Sequence, residues 1–162
     1  MSQTTYNLEP AIGFHGQEYD CGFNDHVSAV ADEDIPFGSV VVRGGGDRRC
    51  KLPAAATDIT DAGKVLGIAL FDTLVPQAEG TTVPGYKAGQ RVQILHEGRV
   101  RIKFEDNLAS GAAVYARVAG TGTKGALRSD ADGANAALLG QARVWKGANG
   151  ALGVVEINKR GA

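Results

Sequence analysis

The side chains best suited to chemistry are few and scattered. The three histidines, His15, His26 and His96, form neither an HxH nor an HExxH pair, and no carboxylate spacing completes a metal site around them. Cys21 has no basic neighbour that would favour its thiolate. Ser110 lies between Ala and Gly rather than in a Gly-x-Ser-x-Gly nucleophile elbow. The sequence therefore predicts a protein that is not an enzyme and that uses no metal or cofactor.

Two glycine-containing segments have part of the composition of a ligand loop. Gly44-Gly45-Gly46 precedes two arginines, but neither the Gly-Lys-Ser/Thr nor the helix of a phosphate-binding loop follows. Asp130-Ala131-Asp132-Gly133 has its glycine one place too early for a calcium loop, and no glutamate closes it at the right distance. We predict that both are turns, the first of which closes a hairpin between strands at 40–42 and 48–52.

An alternating basic stretch is the remaining binding candidate. Arg99, Arg101 and Lys103 alternate with apolar residues, so that they share one solvated face of a strand. Proteins that bind single-stranded nucleic acid usually interleave aromatic residues with such basic ones, whereas the nearby ring of Phe104 falls on the opposite face. We therefore expect a solvated strand or a salt-bridging interface, without a nucleic-acid partner.

Short β-strands must position these residues. The clearest alternation spans 91–105, and Glu97-Gly98 in its middle predicts a hairpin turn. A loop is predicted over 54–63. Further strands are predicted at 40–42, 48–52, 65–71, 113–118, 137–145 and 152–158. Strands of this length and spacing predict an all-β protein with a small, Gly-rich β-sandwich or β-barrel body, and the pattern leaves both arrangements open.

The first 26 residues differ from the rest, because their large apolar side chains follow neither a helical period nor a period of two. We predict an extended N-terminal arm over 1–26 and a β-rich body over 27–162. Six arm side chains are predicted to dock on another surface: Tyr6, Leu8, Ile12, Phe14, Tyr19 and Phe23. The alternative is that they cover the core of their own body.

Composition and charge exclude several classes of protein. Of the 162 residues, 43% are apolar, which is too many for a disordered chain. The longest apolar run, 65–71, is shorter than the roughly 20 residues of a membrane span. The N-terminus has no basic n-region and no apolar h-region, so we expect no signal peptide, and we expect Cys21 and Cys50 to be free thiols.

The net charge of −1 conceals an uneven distribution along the chain. Residues 1–42 contain seven acids and no Lys or Arg, whereas 43–162 contain 17 basic and 11 acidic residues. Opposite charges on two parts of a chain predict electrostatic pairing. The acidic segment could pair with its own body, with a neighbouring copy or with a different basic surface.

A series of short motifs, taken in order along nearly the whole chain, resembles one known family. They are Gln3-Thr4-Thr5-Tyr6, Ile35-Pro36-Phe37-Gly38, Lys51-Leu52-Pro53-Ala54, Gly67-Ile68-Ala69, Gly98-Arg99-Val100, Asp130-Ala131-Asp132-Gly133 and Val155-Glu156-Ile157-Asn158. The family is that of the capsid cement, or decoration, proteins of tailed bacteriophages. The resemblance implies a non-enzymatic virion protein, made in the host cytoplasm, that sits on the outside of the capsid.

The same resemblance implies a function and partners. The protein would bind the outer surface of a phage head and stabilise the shell by bridging subunits of the major capsid protein. Its partners would be that protein and copies of itself, as a trimer, with no nucleic acid and no membrane. The interface is predicted to include Tyr6, Leu8, Ile12, Phe14, Tyr19, Phe23, Arg99 and Arg101.

Other functions share parts of this profile. A β-domain of a phage tail or baseplate, with a structural or host-binding role, would have a similar composition. A carbohydrate-binding module usually presents several exposed aromatic rings, and here Trp145 is the only tryptophan. Copy number in virions separates a cement protein from a tail or baseplate domain, because cement proteins approach the abundance of the major capsid protein.

Overall fold

The computed structural model describes residues 13–20, 22–61, 63–77, 83–148 and 152–158. In these ranges the chain forms eleven strands and one short helix. They are β1 (Asp25–Ala31), β2 (Ile35–Pro36), β3 (Val40–Arg43), β4 (Arg49–Lys51), α1 (Ala56–Thr60), β5 (Val65–Ala69), β6 (Gly85–Tyr86), β7 (Arg91–Lys103), β8 (Ala113–Arg117), β9 (Leu127–Arg128), β10 (Ala136–Lys146) and β11 (Leu152–Ile157). The all-β prediction is confirmed.

Five strands close into a small barrel. β1 pairs in parallel with β4 and antiparallel with β7, while β3 joins β4 to β5 and β5 pairs with β7. Closure gives each of these strands two neighbours, which limits the unpaired edges that invite aggregation. All five strands contribute buried side chains to one cluster, which also contains Ile35, Phe37 and Tyr86 from the segments around β2 and β6.

A second sheet extends from the barrel. β7 continues beyond the ring and is followed in order by β11, β10, β8 and β9, each antiparallel to its neighbour. One face of this sheet packs against β3 and β5 of the ring. The resulting larger core joins Val40 and Ile68 from the ring to Val100, Leu139 and Val155 from the second sheet. The body is therefore a closed ring with a sheet stacked on it, sharing one long strand.

The predicted hairpin turn at Glu97-Gly98 is wrong, because β7 runs through this position as a single strand of 13 residues. Gly98 adopts a φ of +136°, and the register between β7 and β1 shifts beside it. An acid–glycine pair inside an alternating stretch is compatible with a turn or with a β-bulge. The bulge lets Ile94 face the barrel interior while Val100 and Ile102 face the larger core.

The predicted loop over 54–63 contains the helix α1, so that prediction is wrong in part. Asp58 accepts hydrogen bonds from the backbone N–H groups of Ala54 and Ala55 and holds the start of the helix. Ile59 is the side chain that the helix buries. Five residues are too few to show a helical period in the sequence. Within the described part of the chain, no helix is long and apolar enough to cross a membrane.

Candidate interaction surface

The segment 13–20 lies along the second half of β7 as an added strand. The N–H of Gly16 donates to the carbonyl of Arg101 over 2.8 Å, and the N–H of Arg101 donates to the carbonyl of Gln17 over 2.7 Å. An antiparallel bridge continues this pairing toward Arg99. The chain therefore covers this edge of β7 with its own N-terminal part.

Gly16 fixes that segment to the barrel. Its φ is +85°, and a Cβ at this position would lie 2.8 Å from the backbone nitrogen of Gly38 and 3.1 Å from that of Phe71. Its carbonyl accepts a hydrogen bond from the N–H of Phe71 over 2.9 Å. Since backbone atoms surround the position and φ is positive, it suits glycine and no other residue.

A row of aromatic rings connects this segment to the barrel interior. Phe14 stacks on Phe71 with 5.0 Å between ring centroids, and Phe37 meets both Phe71 and Tyr86 edge to face. Tyr86 is fully buried, donates to the carbonyl of Leu70 over 2.8 Å, and has its pKa raised to about 12 by burial. Phe14, at the other end, is 63% exposed on the wall of a groove of about 630 Å³.

His15, within the same segment, has a structural role. Its Nδ1 accepts a hydrogen bond from the backbone N–H of Lys103 over 3.0 Å. Burial, and then the charge of Lys103, lower the pKa of His15 to about 4, so the ring is neutral at pH 7. No group of three or more His, Cys, Asp or Glu side chains that could hold a metal occurs among the described residues.

The basic face of β7 does carry aromatic rings, which corrects the expectation drawn from Phe104. The guanidinium of Arg99 lies 3.5 Å from the ring centroid of Trp145 on β10, and that of Arg101 lies 5.0 Å from the ring centroid of Tyr19. Both rings come from other segments, so alternation within β7 could not show them. Each makes a cation–π contact that organises this face.

The structure describes ion pairs for several acids of the first 42 residues, and in each pair the basic partner belongs to the same chain. Asp20 bonds Arg99 over 2.9 Å, and Asp34 bonds Lys87 over 2.7 Å. Asp32 pairs with Arg49, whose hydrogen bond is the largest cause of the lowered pKa of that carboxyl. Of the three partners left open by the sequence, these acids use their own body.

The structure describes five of the eight predicted interface residues. Tyr6, Leu8 and Ile12 lie outside the described residues, as does Cys21. Phe14 and Phe23 are exposed. Tyr19, Arg99 and Arg101 form the stacked pairs on the outer face of the second sheet.

Sequence reasoning missed three exposed residues of the strand β10 on that same face. They are Leu138, Arg143 and Trp145. Leu138 and Arg143 lie between buried neighbours, and Trp145 follows the buried Val144, so alternation within the predicted strand is the available signal. The other predicted thiol, Cys50, is free and buried inside the ring, where burial raises its pKa to about 11.

Comparison with known proteins shows the family of the chain. The model of the structural cement protein family (E217 gp24/Pam3 gp6) matches residues 2–158. The chain belongs to this family. A search of the curated proteins finds no match.

The solved structures that resemble the chain include two from phage heads. A chain in the structure of the capsid of Myoviridae phage XM1 has 16% identity and a TM-score of 0.68, with 98% of each chain covered. At this identity the likeness shows a common fold. The N base of head fiber gp8.5 of bacteriophage phi29 has 13% identity and a TM-score of 0.42, with 84% of this chain and 95% of that chain covered.

Proposed function

We propose that this protein is a non-enzymatic cement of a phage head, bound to the outer surface of the capsid, where it bridges neighbouring subunits of the major capsid protein. The observation that carries the proposal is the family match, which spans the ring, the second sheet and most of the N-terminal segment. Membership of the family makes the chain a structural protein of a phage capsid. The outer location and the bridging are the steps that we add.

The architecture is suited to this role. A closed ring and a stacked sheet share one continuous strand, so a load applied to the second sheet passes through β7 into the barrel. A protein that binds the assembled shell and not its separated subunits stabilises the shell by mass action. Contacts to several subunits at once add avidity even where each contact is weak. We propose that copies associate as a trimer for this reason.

The N-terminal residues supply a second set of contacts in this proposal. We propose that the predicted arm, 1–26, contributes apolar groups to the capsid or to a neighbouring copy. The proposed anchors are Tyr6, Leu8, Ile12, Phe14, Tyr19 and Phe23. Gly16 supports the idea because it holds the arm to its own body at one fixed point, so that residues ahead of it start from a defined position.

Co-sedimentation with capsids tests the function. Expanded capsids of the phage that encodes this chain, assembled without it, are mixed with purified protein, and bound copies per major capsid subunit are counted. We expect saturation near one copy per subunit. If the folded protein leaves the capsids bare, the cement function is wrong, and a tail or baseplate component takes its place.

The arm is tested by two deletions. Removal of residues 2–12 keeps Gly16 and its contacts with Gly38 and Phe71, whereas removal of residues 2–26 deletes Gly16 and the start of β1. We expect the shorter deletion to remain folded and to bind capsids more weakly. Unchanged capsid binding by that variant would show that the first twelve residues are not contacts.

A further inference from the structure

The outer face of the second sheet is built from three paired strands. Two rows cross β10, β11 and β7: Arg143, Glu156 and Arg99 in one, and Lys146, Val154 and Arg101 in the other. Side chains directly opposite each other in such a sheet lie on the same face. This face points away from the larger core, which takes the alternate residues of the same strands.

Positive charge on this face is only partly matched. Arg99 is held by Asp20 over 2.9 Å and by Glu156 over 3.2 Å. Among the described residues, four other basic side chains of β10 and of residues 98–103 of β7 have no carboxylate within the 4.0 Å of an ion pair: Arg101, Lys103, Arg143 and Lys146. In addition, the buried Nε of Arg101 has no hydrogen-bond partner in this part of the chain.

Exposed apolar groups accompany this charge. Trp145 is 48% exposed and Leu138 is 43% exposed, both on β10. Tryptophan and arginine are enriched among the residues that dominate protein–protein binding. Because the guanidinium of Arg99 already stacks on Trp145, the ring is held in place before a partner arrives, which reduces the entropy lost on binding.

We propose that this face binds an acidic surface of the major capsid protein, with partner carboxylates against Arg101, Arg143 and Lys146 and an apolar partner group against Trp145. The inference rests on the proposed function and adds the surface and the partner chemistry to it. Charge complementarity carries it, since the face has unmatched basic groups and no acidic surplus.

Two other occupants fit the observations less well. A second copy would have to offer acids, and three of the acids of the first 42 residues, Asp20, Asp32 and Asp34, are already paired within the chain. A nucleic acid would need open ring faces for its bases, but a guanidinium group occupies one face of each of the rings of Trp145 and Tyr19. Both occupants are outcomes of the test below.

The test reverses charge on the face without touching its ion pairs. The double variant R143E/K146E changes two exposed residues. The matched control is R48D, an exposed arginine in the loop between β3 and β4, where a short aspartate tolerates the φ of +57°. Dissociation constants for cement-free expanded capsids are measured by co-sedimentation at about 50 mM and about 200 mM salt. A thermal melt verifies that each variant is folded, and R143Q/K146Q replaces the reversal if it is not.

We expect wild type and R48D to bind alike and to weaken with salt. R143E/K146E should bind at least about tenfold more weakly, with a smaller dependence on salt, and W145A should also lose about tenfold. Wild-type affinity in the folded double variant would overturn the assignment of this face while leaving the cement function standing. Absence of capsid binding by wild type would overturn both.

The alternative occupants have their own readouts. Sedimentation velocity of the free protein reports self-association, and a labelled oligothymidine reports binding of single-stranded nucleic acid. A double variant that loses either property and keeps its affinity for capsids would overturn the proposal and identify the other occupant.

Discussion

The two halves of β7 belong to the same strand but have different surroundings. Residues 91–97 lie in the closed ring, with β1 on one edge and β5 on the other, and Val92, Ile94 and Leu95 are fully buried. Residues 98–103 lie in the second sheet, between β11 and the chain's own segment 13–20, with basic side chains on the open face. The first half is enclosed in the ring, whereas the second half buries Val100 and Ile102 on one face and presents basic side chains on the other, the face that we propose binds the capsid.

The largest expected effect separates the buried side chains of β7 from the open face of its second half. Leu95→Ala removes a fully buried side chain and should lower the free energy of unfolding by about 2–5 kcal/mol. Lys103→Ala alters an exposed side chain of the other half and should change it by less than about 0.5 kcal/mol. Urea denaturation of both variants provides the measurement. Similar losses in both would remove the distinction between the buried side chains of β7 and its open face.

A smaller effect concerns the segment that covers the edge of the second half. Gly16→Ala introduces a Cβ among backbone atoms at positive φ and should cost roughly 2–3 kcal/mol. Gly111→Ala is the matched control, since Gly111 has a φ of +81° but open space around its Cβ position. It should cost only about 1 kcal/mol.

Hydrogen exchange shows where the difference between these two variants arises. In Gly16→Ala the amides of Gly16, Tyr19 and Arg101 should exchange faster, because they hydrogen-bond between the segment 13–20 and β7. Equal costs for the two alanine variants would mean that the close approach of Gly38 and Phe71 adds nothing.

The smallest effect depends on pH. His15 has a folded-state pKa of about 4 and an ordinary value of 6.5, so the unfolded chain takes up a proton first as the pH falls. Stability should therefore be full above pH 6.5 and should decline by roughly 2 kcal/mol as the pH approaches 4. The carboxyl groups with a lowered pKa, such as Asp34 and Asp132, act in a separate pH range: the stability that they contribute is lost only as the pH falls below about 3.8.

His15→Asn tests that assignment. Asparagine keeps an acceptor for the N–H of Lys103 but does not titrate. The decline between pH 6.5 and pH 4 should be absent from its unfolding curves. A decline of wild-type size in the variant would assign the pH dependence to other groups.

Local patterns in the sequence predicted most strands but not their arrangement. The β-branched run at 40–42 lies in β3, and the apolar run at 65–71 contains β5. Such strands can be predicted because the burial of a strand determines the pattern of apolar residues within a few consecutive positions. Ring closure depends on β1 pairing with β4 and β7, which lie far away in the chain. Nothing in a local period contains that information, and so barrel and sandwich both stayed open.

The proposed binding face could be predicted from the sequence in its charges but not in its aromatic rings. Alternation placed Arg99 and Arg101 on one face, as the structure has them, although both are half-buried there. Trp145 and Tyr19 come from a different strand and from the N-terminal segment, so their stacking follows from tertiary pairing. Gly98 shows the same limit, since its turn-like sequence is accommodated as a bulge inside a long strand.

The measurement that tests the central claim most directly is the temperature at which packaged heads release their DNA, recorded with increasing amounts of this protein. If the protein bridges capsid subunits, the release temperature should rise with occupancy and level off when the binding sites are full. R143E/K146E should require more protein for the same rise. A release temperature that stays constant at full occupancy would contradict the account, because the protein would then cover the shell without holding it together.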